Sequence, residues 1–399
     1  MTTSAVHEFI DYVRTTMPLQ VWSCVKGDTN PDTFIGFAGD VCQRVLGDGV
    51  PEIDHTLRLE AQQAAGMLLG AAERFSQPAN QPGEVLSRLP GLERMLLELA
   101  GPGEVPSLTH HTYWIANIGD VPFSFTGQPF EEFFRCAVLA QVGVREAVNT
   151  QLSVVATGAV PVDSFAAARL IRAAGEGLRQ AQALYRDFNR CPRGGIGMTA
   201  DEFNTMRVFL PTFRVGHRNY TGPNAAYIGP MVTTDFILGT ADDMYRQYVD
   251  ELLPHQYISE RSETKRAMAA PSLVAAIGEA LGAQDREGLA DCTTDGIAKI
   301  LAERPGLHEA VEAALETYQA FCGGSGAHYG LIVTHLVKYE QTMTEDHLAA
   351  LPVRPSSGVG GHGHDTIKSL HDRRRSQPGF AKVRAALRLL EPHAPKDAA

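Results

Sequence analysis

An all-α protein is what this sequence predicts, and three observations carry the prediction. Apolar residues return at three- and four-residue spacing through long windows, helix-start signals precede some of them, and strand-like alternation is scarce. The first clear window runs from Leu57 to Ala72 and the next from Val85 to Leu99. Phe130 to Val148, Phe165 to Phe188 and Leu307 to Phe321 repeat the pattern further along. Asp163-Ser164 stands before one window, and Thr199 ahead of Asp201-Glu202 reads as a helix cap with early acidic residues. No Asn-Gly or Asp-Gly pair lies between alternating apolar runs, so isolated short strands are the most expected. Gln77 to Gly83, Ala100 to Gly103 and Pro352 to Gly363 read as loops or joints. The segment after Leu390 is short, charged and expected to fray.

Length and charge narrow the class of protein. A chain of 399 residues allows two or three domains, or one large helical unit with an appended region. The division expected is an N-terminal helical region over 1–104, a main domain over 105–390 and a tail over 391–399. The N-terminal region either completes the helical core or forms a homodimer contact. With 35 Lys+Arg against 46 Asp+Glu, the formal charge of −11 argues against nucleic acid or an anionic membrane as partner. A hydrophobic share of 44% with 20% charged residues excludes long-range disorder. No stretch approaches the about 18–20 apolar residues of a spanning helix. Met1 to Glu8 shows neither a basic nor an apolar leader segment. Six cysteines without a Cys-x-x-Cys pair fit reduced thiols, and a cytoplasmic location is expected.

Histidine is where the chemistry begins. Of 14 histidines, His328 and His335 stand seven apart in an apolar stretch, Ala327 to Val337. Seven helical residues are two turns and about 10.5 Å of rise, so both face one side but cannot share one iron. Imidazole is the common axial ligand of heme and typically projects from a helix lining an apolar slot. A partly buried histidine bonded to a carbonyl is the plain alternative. The preceding Gly323, Gly324, Ser325 and Gly326 disfavour a helix, at about 1 kcal/mol per glycine. Either the helix breaks there, or something flat and large needs close backbone approach.

Two further segments stand out. Ser357-Gly358-Val359-Gly360-Gly361-His362-Gly363-His364-Asp365 is a glycine-rich run lacking the register of a dinucleotide or phosphate loop. It reads as a lid over a site or as a surface linker; His362 and His364 could also chelate a metal with His371 or Asp365. Arg207 lies in an apolar-aromatic setting and requires an anionic partner, either a protein carboxylate such as Asp235 or a substrate carboxylate. The run Arg373-Arg374-Arg375 reads as a solvated helix face, with one arginine available to a heme propionate.

Taken in order, these blocks resemble the heme-dependent aromatic oxygenases, the superfamily of indoleamine and tryptophan 2,3-dioxygenases, and most closely its monodechloroaminopyrrolnitrin synthase type. His328 to Val337 resembles the proximal-ligand helix. Tyr220-Thr221-Gly222-Pro223-Asn224-Ala225-Ala226, running on to Asp235-Phe236-Ile237-Leu238-Gly239, resembles the turn and helix beside the heme. Arg207 falls where these enzymes place their substrate-carboxylate arginine. Gly358-Val359-Gly360-Gly361 resembles their Gly-Thr-Gly-Gly loop, with Val359 in place of the hydroxyl residue. Phe133-Phe134 and His110-His111-Thr112-Tyr113-Trp114 resemble the distal segment.

The resemblance spans roughly residues 105 to 375 and implies an indoleamine 2,3-dioxygenase-like helical bundle enclosing a non-covalent heme b. It implies His328 as the iron's axial ligand, with Arg207 on the carboxylate of an aromatic amino acid. Phe133, Phe134, Gly222, Asn224 and Ala225 would hold the substrate ring, Val359 and Gly360 would close over it, and His110 or His111 would supply a distal polar group. Ala137 falls near a distal serine position of one branch, and no cysteine follows Cys322 to attach a heme covalently. The function expected is oxidation or rearrangement of the indole ring of L-tryptophan or a derivative with dioxygen, in secondary metabolism. The alternatives are a same-fold heme enzyme that uses peroxide or hydroxylates tyrosine or an amine nitrogen, a heme-binding or gas-sensing protein without turnover, and a non-heme metal site on His362, His364 and His371.

Overall fold

The structure, a computed structural model, describes residues 3–46, 52–76, 84–100, 139–140, 143–145, 150–190, 199–207, 209, 213–220, 229–256, 258–283, 289, 292–345, 348 and 364–391. Within them the class is all-α, with one small hairpin. Five helices come first: α1 (Thr3–Asp11), α2 (Met17–Val25), α3 (Pro31–Val45), α4 (His55–Ser76) and α5 (Leu92–Ala100). Helix α3 starts where its sequence dictates. Pro31 occupies the first turn, and the Asn30 side chain accepts a hydrogen bond from the Asp32 amide at 2.9 Å. The window Val85 to Leu99 is not one helix. A short 3₁₀ turn, Glu84–Arg88, ends at Pro90-Gly91, where Gly91 takes φ 81° and lies so close to Leu46 that a Cβ would meet its carbonyl oxygen at 2.8 Å.

Two long helices form the axis of the remainder, α7 (Phe165–Arg190) and α14 (Pro305–Ile332). Around them lie α6 (Thr150–Ala156), α8 (Ala200–Arg207), α9 (Gly229–Leu238), α10 (Asp243–Leu252), α11 (Ile258–Ala269), α12 (Leu273–Ala280), α13 (Thr294–Glu303), α15 (His364–Arg375) and α16 (Pro378–Leu390). The start signals act as read. Ser164 Oγ accepts from the Ala167 amide at 3.1 Å, and Thr199 and Glu202 cap each other's amides at the head of α8. The hairpin pairs β1 (Phe213–Val215) with β2 (Arg218–Tyr220), turning at Gly216 with φ 59°.

Helices α7 and α14 run parallel. Their contacts advance together along both helices, Arg172 with Glu309, Gly175 with Thr317 and Tyr185 with His328, and continue past α14 with Phe188 on His335. Two apolar cores result. One gathers α1 to α5 and takes in Phe188, Phe209, Val215 and Leu331 from downstream. The other gathers α6, α7, α12 to α14 and α16. Leu184, Tyr185 and Met231 pack against both, so the cores meet at the C-terminal half of α7. A third, small cluster lies between α9 and α10 around Phe236 and Tyr245. Cys24, Cys42 and Cys322 are free thiols. Among the described residues no helix is long and apolar enough to cross a membrane.

Candidate functional site

His328 sits where the two cores meet. Helix α14 does not break at its glycines but runs unbroken from Pro305 to Ile332, then through a π-helical turn, Val333–Val337. The glycines serve close helix approach. A Cβ on Gly323 would run into the Gln182 amide of α7, and one on Gly326 would lie 3.3 Å from the His371 ring of α15. Gly324 and Ser325 instead line a void of about 20 Å³, with Leu178, Ala181, Tyr185 and Met231 among its other walls. That is room for a single water molecule.

The His328 ring meets Tyr185 edge-on, with centroids 5.8 Å apart at 67°. It makes no hydrogen bond to any described residue. Burial, reinforced by the nearby Arg374 guanidinium, pushes its pKa down to about 4, so the imidazole is neutral at pH 7. A neutral imidazole with an unshared nitrogen is the ligating form.

His335, two turns on, is committed elsewhere. It is buried, its Nδ1 donates to the Leu331 carbonyl at 3.1 Å, and its ring packs on Phe188 and Phe203. Its own carbonyl accepts from Asn204 Nδ2 at 2.7 Å, which ties α8 to the π-helical turn.

Beside His328, α14 also carries a polar chain of contacts. Tyr329 OH lies 2.6 Å from His364 Nε2, and its ring stacks on His371 at 5.6 Å. His371 Nδ1 and Arg374 Nη1 both reach Ser325 Oγ at 3.2 Å. Arg374 then grips Asp235 with two nitrogens, Nε to Oδ1 at 3.0 Å and Nη2 to Oδ2 at 2.6 Å. Thr240 and Tyr245 hydroxyls donate to the same carboxylate at 2.7 and 3.1 Å, and Arg373 joins at 3.3 Å. Burial would raise the Asp235 pKa, but Arg374 and then Arg373 overcome it and hold the carboxyl below the ordinary range.

This arrangement corrects two expectations. Arg373 and Arg374 are not a solvated face; their side chains are 13% exposed, and only Arg375 of the run faces water. Asp235, the protein partner considered for Arg207, is instead filled by these two arginines, Thr240 and Tyr245.

Of the residues singled out in the sequence, His328 is described in full and Arg207 only in its backbone, at the end of α8. His110, His111, Phe133, Phe134, Gly222, Asn224, Ala225, Val359, Gly360 and His362 lie outside the described residues. His364 and His371 do not converge on a shared point but flank Tyr329, and no group of three metal-binding side chains occurs among the described residues. Sequence reasoning passed over Tyr185 and Tyr329. Tyr185 carries a usable signal, a hydroxyl in the apolar stripe Leu178, Ala181, Tyr185, Phe188 of α7.

The donor chemistry at His328 fits an axial ligand for heme iron, the cofactor implied by the sequence resemblance. No known protein family matches this chain, and no curated protein is similar to it.

Proposed function

We propose that this chain is a heme-dependent oxygenase acting on L-tryptophan or a tryptophan derivative, in which His328 would hold the heme iron. The observation that carries the reading is the unshared, neutral imidazole of His328 at the junction of the two cores. Heme, when bound, supplies the activation of dioxygen. The protein's part is positional. Tyr185 packs edge-on against the His328 ring, and Gly324, Ser325 and Tyr185 itself line a small void. Arg374, fixed by Asp235, disfavours protonation of the imidazole and so preserves its lone pair. In this proposal Arg207 receives the substrate carboxylate.

The test is an absorption spectrum of the purified protein reconstituted with heme, beside His328→Ala, with and without L-tryptophan. The expected result is a Soret band that requires His328 and shifts on adding tryptophan. A His328→Ala protein with an unchanged spectrum overturns the assignment.

A further inference from the structure

Away from His328, a half-open cavity of about 340 Å³ lies between α6, α9 and α11. Its volume falls within the range of small-molecule clefts, about 300–1,000 Å³. Ala156, Ile237 and Ala267 give it an apolar floor, and Glu263 and Arg266 of α11 stand at its wall. Opposite charges three residues apart on a helix can pair, at about 0.2–0.5 kcal/mol. These two do not; neither makes an ion pair or side-chain hydrogen bond with any described residue. The other cation of the wall, Arg145, is already taken by the buried carboxylate of Glu260. The cavity therefore offers, unpaired among the described residues, one part-buried anion and one exposed cation beside an apolar surface.

We infer that this cleft binds a small zwitterion with an apolar side chain, a free aliphatic α-amino acid. Glu263 receives the ammonium group, Arg266 the carboxylate, and the side chain lies on Ala156, Ile237 and Ala267. Ser153, also on the wall, offers a hydroxyl to the carboxylate. The inference stands apart from the heme reading, since none of these residues touches His328.

Isothermal titration calorimetry on the full chain tests it with L-leucine, N-acetyl-L-leucine and L-leucine methyl ester. L-Leucine is expected to bind, with each capped analogue at least about tenfold weaker, the loss of one charge-assisted contact. Glu263→Gln should erase the preference over the N-acetyl compound alone, and Arg266→Gln the preference over the ester alone. Neither side chain pairs with a described residue, and thermal melts of the variants should match wild type. His328→Ala should bind L-leucine unchanged. Absence of heat with L-leucine, equal binding of all three compounds, or loss of binding in His328→Ala would each overturn the inference.

Discussion

Two histidines on one helical stretch face the same neighbour and live in opposite chemical states. His335 is enclosed by Phe188 and Phe203, its Nδ1 proton sits on Leu331, and its backbone holds Asn204. His328, beside Tyr185 of the same α7, has packing but no hydrogen bond to a described residue. A satisfied buried imidazole is an element of the fold. His328 is only partly buried, and an imidazole with no hydrogen bond to a described residue keeps a nitrogen open to a ligand; this difference separates a packing histidine from a candidate ligand. Heptad spacing alone makes the two equivalent; the partners make them unequal.

The sharpest way to break that contrast is to remove the charge that conditions it. Asp235→Ala leaves Arg373 and Arg374 buried without their carboxylate, which should lower stability by about 3–5 kcal/mol. Urea unfolding reads this directly, and a loss under 1 kcal/mol would mean water already serves the two guanidinium groups. Next come the histidines themselves, in the heme-free protein. His335→Ala should cost about 2–3 kcal/mol through a lost hydrogen bond and aromatic contacts, whereas His328→Ala should stay within about 1 kcal/mol of wild type. Equal losses would erase the distinction.

A further effect is one of pH. The folded pKa of His328 is pushed from 6.5 to about 4, so the unfolded chain takes up a proton there that the folded chain refuses. Stability should fall as pH drops from 6.5 toward 4, with no further loss from this group below that. In His328→Ala this portion of the acid limb should be missing. An unfolding midpoint whose difference from wild type stays constant over that window would place the ring in water.

What the sequence made legible follows a physical line. Local signals came through: the apolar periodicity of α4 and α7, the Ser164 start of α7, and the Thr199–Glu202 capping box. Each depends on residues within one or two turns of each other. The glycine run before His328 was misleading because a glycine's helix penalty is local, while its compensation comes from Gln182 and His371, far along the chain. Arg373 and Arg374 read as solvated for the same reason. Their partner Asp235 is more than a hundred residues away, and no spacing rule reports it. The hairpin at Gly216 has strands of three residues, too short for alternation to register. His328 itself was legible as a candidate, but the features distinguishing it from His335 are tertiary.

The Asp235 carboxylate has a consequence for how the chain is anchored. It sits on α9, whose first residue follows directly on the 221–228 segment, and it holds α15, whose first residue follows directly on the 351–363 segment. Those segments contain the turn and the glycine-rich run assigned to substrate by resemblance. Helices α9 and α15, more than a hundred residues apart, are thus fastened to one another through Asp235, with Arg373 and Gln377 adding bonds to the Thr240 and Gly239 carbonyls. A change at this one buried position therefore reaches two helices that the sequence keeps far apart.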